Sequence, residues 1–355
     1  MTYLAILTYG ILTAQSLVLA SIARSFPAEA ILKNQKQQVK RLARILNGPL
    51  LVPTAIFPAF MAWAVAQAAR AWRRKKNTVF VLMDYTSIAN RYQILWLAVN
   101  WRGRALPIYC KVFRYSDIET SQNLLEEGVL KTLWPLLPAG YRYILVADRG
   151  FGRADLAKYL QGQGIDFIIR VKDDVYVTHR GKTHLLSRYR LRLGECHLYR
   201  KVFFRKDQVV QVNLVVAYMV SGSKIPNQQW CLITSLQGAD EAVDGYFCRM
   251  QIEEFFRDDK HHLHMEQSGT GTVAHWERLL IGLSCSYLIL AAIGLQDAVQ
   301  LNASRVMRPR TGKDAKKAAR GSLIWLALQV LAMPHYFPPD VVPRALATLR
   351  ASPAP

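Results

Sequence analysis

Two five-residue apolar runs, Val79–Met83 and Tyr143–Ala147, each stop at an aspartate, Asp84 and Asp148. Five residues are too few for a buried helix, so each run is predicted to be a buried strand. A carboxylate at the mouth of such a strand sits where water-loving groups are scarce. The ordinary alternative for each, taken singly, is a turn or cap residue. Two in the same chain turn attention to what else could reach that end of the sheet.

The texture around these runs sets the fold class. Tyr92–Trp101 and Ala105–Phe113 read as two further strands, joined through Arg102-Gly103-Arg104, short enough for a hairpin turn. A helix is predicted over 121–137, a second over Arg153–Gln161, and a strand over Asp166–Val171. Three antiparallel strands followed by helix, strand, helix and strand is the order of a ribonuclease-H-like fold. Residues 172–229 are rich in Val, Tyr, Arg and Phe and alternate over 208–219, which predicts a β-rich insertion. A strand over Trp230–Leu236 returns to the main fold, then a long helix over Asp240–His264 and a buried helix near 277–295. The expectation is therefore an α/β chain in five parts: a helical domain (1–77), a ribonuclease-H-like core in two pieces (78–171 and 230–300) split by the insertion (172–229), and a C-terminal helical region and tail (301–355). The prolines after Pro338 predict a loosely ordered tail.

Charge narrows the partner. The net charge is +21, and from Met1 to Asn77 the only acid is Glu29. Bases gather in three zones: 33–76, which includes Lys36, Lys40, Arg41, Arg44 and the cluster Arg73 to Lys76; Arg170–Lys206; and Arg305–Arg320. Such a surplus points to a polyanion. The helix predicted over Asn34–Leu46 turns Val39, Leu42, Ile45 and Leu46 inward and its bases outward, and is the expected DNA-reading surface. Five cysteines without a CxxC pair exclude a zinc module and a disulfide framework and suit a reduced cytoplasm. Thr2, Thr8, Thr13, Gln15 and Ser16 interrupt the apolar N-terminus, with no basic stretch before it, which makes a poor signal peptide. Leu279–Leu295 is short for a membrane span and is broken by Gly282, Ser284, Ser286 and Gly294, so a core helix and no membrane partner are expected.

A third acid comes from the crowd Glu253, Glu254, Asp258 and Asp259. At about 100° per residue, Tyr246, Arg249, Glu253 and Lys260 fall within about 60° of one another, while Glu254 points about 100° away. Three carboxylates without Cys or His form a hard-oxygen site suited to Mg²⁺, with Mn²⁺ as a substitute. Two such ions, about 3.5–4 Å apart, can activate an attacking oxygen and stabilise a leaving one. His261, His262 and His264 lie at a helix end with no partner cluster at ligand spacing and are expected to be polar helix-end residues.

Tyr246-x2-Arg249-x3-Glu253-x6-Lys260 resembles the YREK signature of the bacterial insertion-sequence-four group of DDE transposases. Asp84-Tyr85-Thr86 and Asp148-Arg149-Gly150-Phe151 resemble that group's two aspartate motifs. The resemblance spans about 79–290 and implies a catalytic, metal-holding triad of Asp84, Asp148 and Glu253. It implies phosphate contacts from Arg249, Lys260 and Tyr246. Trp230, on a strand similar to one that carries a base-stacking tryptophan in relatives, would hold a flipped base. Lys172, Arg180, Arg188, Arg190 and Arg192 would clamp DNA from the insertion, the usual role of that part in the family. The function implied is cut-and-paste transposition, through hairpin ends, of double-stranded DNA bounded by inverted repeats, by a homodimer. Two readings stay open beside it: a metal-dependent nuclease that cuts without joining, and a non-catalytic DNA-binding derivative. An ordinary core tryptophan also remains open for Trp230.

Overall fold

The computed structural model describes residues 2–26, 34–71, 77–88, 90–117, 122–206, 209–219, 228–269, 271–306 and 322–350. The Arg73–Lys76 cluster and nearly all of the third basic zone lie outside the described residues.

Four helices come first: α1 (Thr2–Ala14), α2 (Leu19–Arg24), α3 (Gln35–Asn47) and α4 (Pro53–Ala71). Asn34 caps α3, its side chain accepting from the Gln37 N–H at 3.0 Å. Leu42, Ile45 and Leu46 are buried as expected, but Gln38 takes a buried place and Val39 is only half-buried. Lys36, Lys40, Arg41 and Arg44 are exposed.

A single mixed sheet follows, covered by helices. Its first strands are β1 (Thr78–Ile88), β2 (Tyr92–Trp101) and β3 (Arg104–Arg114), an antiparallel meander. Arg102 and Gly103 both adopt positive φ (49° and 82°), the pairing that a two-residue hairpin turn matched to strand twist requires. Pro107 lies on β3, the edge strand, beside a bulge where Leu97 and Ala98 face Tyr109 and Pro107; an edge is where a residue without an N–H is tolerated. After α5 (Gln122–Leu133), β4 (Arg142–Ala147) pairs parallel to β1, and after α6 (Ala154–Gly162), β5 (Asp166–Val171) pairs parallel to β4. The element order expected over this segment is observed. One boundary differs: β1 does not stop at Asp84 but continues to Ile88, held beyond Met83 by β2 alone.

The 172–229 segment is β-rich as expected and supplies β6 (Tyr176–His179), β7 (Lys182–Leu185), β8 (Cys196–Phe204) and β9 (Val210–Met219). These strands extend the main sheet through β10 (Gln228–Thr234), antiparallel to both β9 and β5, so the strand order is β3-β2-β1-β4-β5-β10-β9-β8-β6-β7.

Helix α7 (Ala239–His261) lies across β1, β4 and β5, and Gly245 brings it close to Phe80 and Ile168. Trp96 meets Phe255 edge to face at 5.1 Å, and Phe255 meets Tyr287 at 4.8 Å, which ties α7 to β2 and to α8 (Val273–Gly294). Helix α8 is the one described helix long and apolar enough to cross a membrane, yet 72% of its most apolar stretch is buried against other elements, including α1, β3 and, after the short α9 (Asp297–Leu301) and α10 (Ala303–Val306), α11 (Leu323–Ala332). The tail departs from expectation over Val341–Arg350, which forms helix α12 packed on α8; Val341 and Ala345 provide its buried side. Pro343 falls in the first turn of α12, where its missing N–H costs nothing.

Candidate functional site

The parallel ladder between β1 and β4 ends at the pair Met83–Ala147. Asp84 and Asp148 are the next residue on each strand, so two carboxylates leave neighbouring strands at the same level. Each accepts a hydrogen bond from a backbone N–H close by in the chain. Asp84 Oδ1 accepts from the Tyr85 N–H at 2.8 Å, and Asp148 Oδ1 accepts from the Gly150 N–H at 2.7 Å, capping a 3-10 turn over Arg149–Phe151.

Glu253 approaches from α7. Its neighbour one turn back, Arg249, has a side chain only 8% exposed and donates from Nη1 to Asp84 Oδ2 at 2.9 Å and from Nη2 to Glu253 Oε1. Glu254 points elsewhere and pairs with Arg257 at 2.7 Å. Helical phase thus turns Glu253, rather than Glu254, to Arg249 and through it towards Asp84. Burial pushes the Asp84 carboxyl up to about 6; Arg249 opposes the shift and the charge of Asp148 adds to it.

The remaining expected residues are spread around this centre. Tyr246 is buried, and burial raises its phenol while the nearby Arg249 and Arg170 oppose the shift. Trp230 is half-buried and stands edge to face on Tyr246 (4.9 Å) and on Phe247 (4.7 Å). Lys260, about two turns beyond Glu253 on α7, pairs with Glu266 at 3.3 Å. Lys172 is exposed and lines a cleft of about 430 Å³ with Arg149, Arg153, Arg205 and Lys206, next to the loop that carries Asp148. A second cleft of about 320 Å³ shares Arg149 and Lys172 and adds Arg170. Arg180, Arg188, Arg190 and Arg192 are exposed on and around the β6–β7 hairpin. Lys40, Arg41 and Arg44 project from α3, in the first part of the chain.

Several residues near the site make contacts that the sequence did not foretell. Tyr85 and Phe151, which flank the two aspartates, stack at 5.6 Å and 2°. Glu126 on α5 is fully buried and pairs with Arg153, at the start of α6. Asp258 is buried as well. Its Oδ2 accepts from the Tyr287 hydroxyl at 3.1 Å and from Arg104 at 3.4 Å, and its Oδ1 accepts from the Ser322 hydroxyl at 3.1 Å. Asp259 has no exposed surface, and neither of its carboxylate oxygens has a hydrogen-bond partner among the described residues.

The donor chemistry of Asp84, Asp148 and Glu253 suits a hard divalent cation. Among the described residues, however, no three His, Cys, Asp or Glu side chains stand close enough together to hold one as they are, and Arg249 bridges Asp84 and Glu253. A family model described as a transposase DDE domain matches residues 103–289, more than half of the chain. The chain belongs to the transposase DDE domain family. The match takes in Asp148 and Glu253 and begins after Asp84. For a DDE transposase the substrate is DNA, the chemistry is cleavage of nucleic acid and divalent metal ions are the general cofactors. No curated protein matches this transposase.

Proposed function

We propose that this DDE transposase is a cut-and-paste enzyme of the insertion-sequence-four group, with a ribonuclease-H-like core formed by 78–171 and 230–300. The observation that carries the reading is the shared level of Asp84 and Asp148 at the end of the β1–β4 ladder, with Glu253 brought to Asp84 through Arg249. The strand order β3-β2-β1-β4-β5, antiparallel in the meander and parallel after it, supports the core assignment. The five-part organisation of the chain belongs to the same proposal.

In this mechanism Asp84, Asp148 and Glu253 would hold Mg²⁺, or Mn²⁺ in its place. Two bound ions would activate the attacking oxygen and stabilise the leaving one in an in-line displacement. The protein's own part is position and charge. The Tyr85 and Gly150 N–H groups fix the two aspartates, while the Tyr85–Phe151 stack and the Glu126–Arg153 pair brace the loops behind them. Arg149, Lys172, Arg205 and Lys206 offer cations to the DNA backbone beside the cut. Lys260 and Tyr246 would add phosphate contacts, and Tyr246 must first be uncovered. Trp230 would hold an unpaired base while the freed 3′-OH attacks the opposite strand to form a hairpin end. Lys40, Arg41 and Arg44 would contact the inverted repeats, one DNA end per protomer of a homodimer.

The test is a labelled transposon-end duplex incubated with Mg²⁺ and a target plasmid. Nicked, hairpinned and joined products are expected from the wild type. Glu253→Ala should abolish all three, and Glu254→Ala should leave them nearly intact. Cleavage without joining of pre-cut ends would establish the second reading, a nuclease on the same core. Loss of activity in Glu254→Ala alone would overturn the assignment of Glu253.

A further inference from the structure

The bridge made by Arg249 bears on how the site is filled. Of the six oxygens on Asp84, Asp148 and Glu253, Asp84 Oδ1 and Asp148 Oδ1 are held by nearby backbone N–H groups, of Tyr85 and Gly150. Asp84 Oδ2 and Glu253 Oε1 are held by the two prongs of one guanidinium. Asp148 Oδ2 and Glu253 Oε2 have no such partner among the described residues. A divalent ion shared by these acids needs oxygens that Arg249 now occupies. It would also meet a fixed positive charge in a site where Arg249 is almost wholly shielded from water, so that repulsion is weakly screened. Arginine remains charged at any working pH, so the conflict cannot be relieved by deprotonation. It can be relieved by movement. The guanidinium fork that fits a carboxylate fits a phosphate equally well, and a DNA backbone entering the adjoining basic clefts would present one.

We propose that Arg249 is an internal counter-ion that keeps the carboxylate site closed until a DNA phosphate draws it away, coupling divalent-metal loading to DNA binding. The proposal rests on the reading of Asp84, Asp148 and Glu253 as the metal ligands. Coupling of this kind is reciprocal: whatever DNA contributes to metal affinity, metal contributes to DNA affinity. It also confines a reactive metal centre to protein that already holds DNA.

The test uses the full chain without DNA and Mn²⁺ alone as the probe, with bound ion measured by electron paramagnetic resonance. Arg249→Gln removes the charge and is expected to bind Mn²⁺ roughly 5–150-fold more tightly than the wild type, the ordinary range for coupled sites. Adding Asp148→Asn to that variant should erase the gain, which locates the ion. Arg249→Lys keeps a charge but cannot span both acids, and should tighten binding by a smaller factor. If Arg249→Gln does not fold, as judged by circular dichroism, the lysine variant decides, and no gain in it overturns the proposal. Equal or weaker binding by a folded Arg249→Gln, with wild-type binding that still depends on Asp148, overturns the counter-ion role and leaves the metal-site reading standing. Mn²⁺ binding insensitive to Asp148 in every variant overturns both.

Discussion

Gly245 and Gly128 both lie within helices, yet replacing each by alanine should move stability in opposite directions. Gly128 is exposed on α5, and a methyl group there would meet nothing within 4 Å. Its replacement should stabilise the protein by about 0.5–1 kcal/mol, the ordinary helix-propensity gain. Gly245 gains as much from propensity, but its new Cβ would stand 2.5 Å from Ile168 Cδ1 and 2.5 Å from Phe80 Cε1. Carbon atoms prefer roughly 3.5–4.0 Å, so α7 or the sheet must give by about 1 Å. Ile168 can turn its terminal methyl, but the Phe80 ring is buried under the helix and cannot. Overpacking of this kind costs about 1–3 kcal/mol, which leaves a net loss of up to about 2 kcal/mol. Urea titration of both variants measures the difference, and the gap between them should be about 1–3 kcal/mol with unchanged slope. Glu253 lies two turns beyond Gly245 on the same helix, and a displacement near 1 Å at a catalytic group can cost about 100-fold in rate. Cleavage by Gly245→Ala should therefore fall further than its stability explains. Equal stabilisation in both variants would refute the close packing of α7 on β1 and β5.

Asp259→Asn should flatten the pH dependence of stability. Burial, and then the charge of Asp258, hold the Asp259 carboxyl well above its usual value of 3.8. The folded state thus keeps a proton that the unfolded chain has released. Wild-type stability should fall as pH rises above about 4, by up to about 1.4 kcal/mol per unit until the folded group ionises. Parallel wild-type and variant curves in thermal unfolding across pH would contradict this. Trp230→Ala should spare the first nick and slow hairpin formation about 5- to 150-fold, the worth of about 1–3 kcal/mol of base stacking. Equal loss of both steps on a denaturing gel would make Trp230 a core residue, consistent with its contacts to Tyr246 and Phe247. Replacing Lys40, Arg41 and Arg44 together by alanine should make end binding, measured by fluorescence anisotropy, less salt-dependent, the slope of log affinity against log salt falling by about 0.9 per lost phosphate contact. An unchanged slope would move the DNA-reading surface away from α3.

The sheet was legible because its signals are local. The apolar runs before Asp84 and Asp148, the Arg102-Gly103 turn and the spacing of Tyr246, Arg249 and Glu253 each act within a few residues. The continuation of β1 past Asp84 was not legible, since its partner there is β2 and the apolar run has already ended. Helix α12 was hidden by prolines that read as breakers, although Pro343 occupies the first turn, where it is tolerated. The buried aspartates were hidden for a different reason. Asp258 and Asp259 resemble a solvated helix end, and only contacts from Arg104, Tyr287 and Ser322, far away in the chain, put Asp258 inside. Glu126 with Arg153, and Tyr85 with Phe151, are likewise pairs made by tertiary packing. That Arg249 and Glu253 share one helix face could be read in advance. The role of Arg249 as a bridge between two elements could not, because Asp84 belongs to a strand.

The account depends on Asp84, Asp148 and Glu253 being one metal site that forms when DNA is bound. The direct measurement is Mn²⁺ anomalous scattering from crystals of the protein with a transposon-end duplex. Two peaks about 3.5–4 Å apart, coordinated by these three carboxylates and by DNA phosphate oxygens, with Arg249 turned from Asp84 to a phosphate, are the expected result. Manganese held elsewhere, or bound DNA with Arg249 still bridging Asp84 and Glu253 and no metal between the acids, would contradict it.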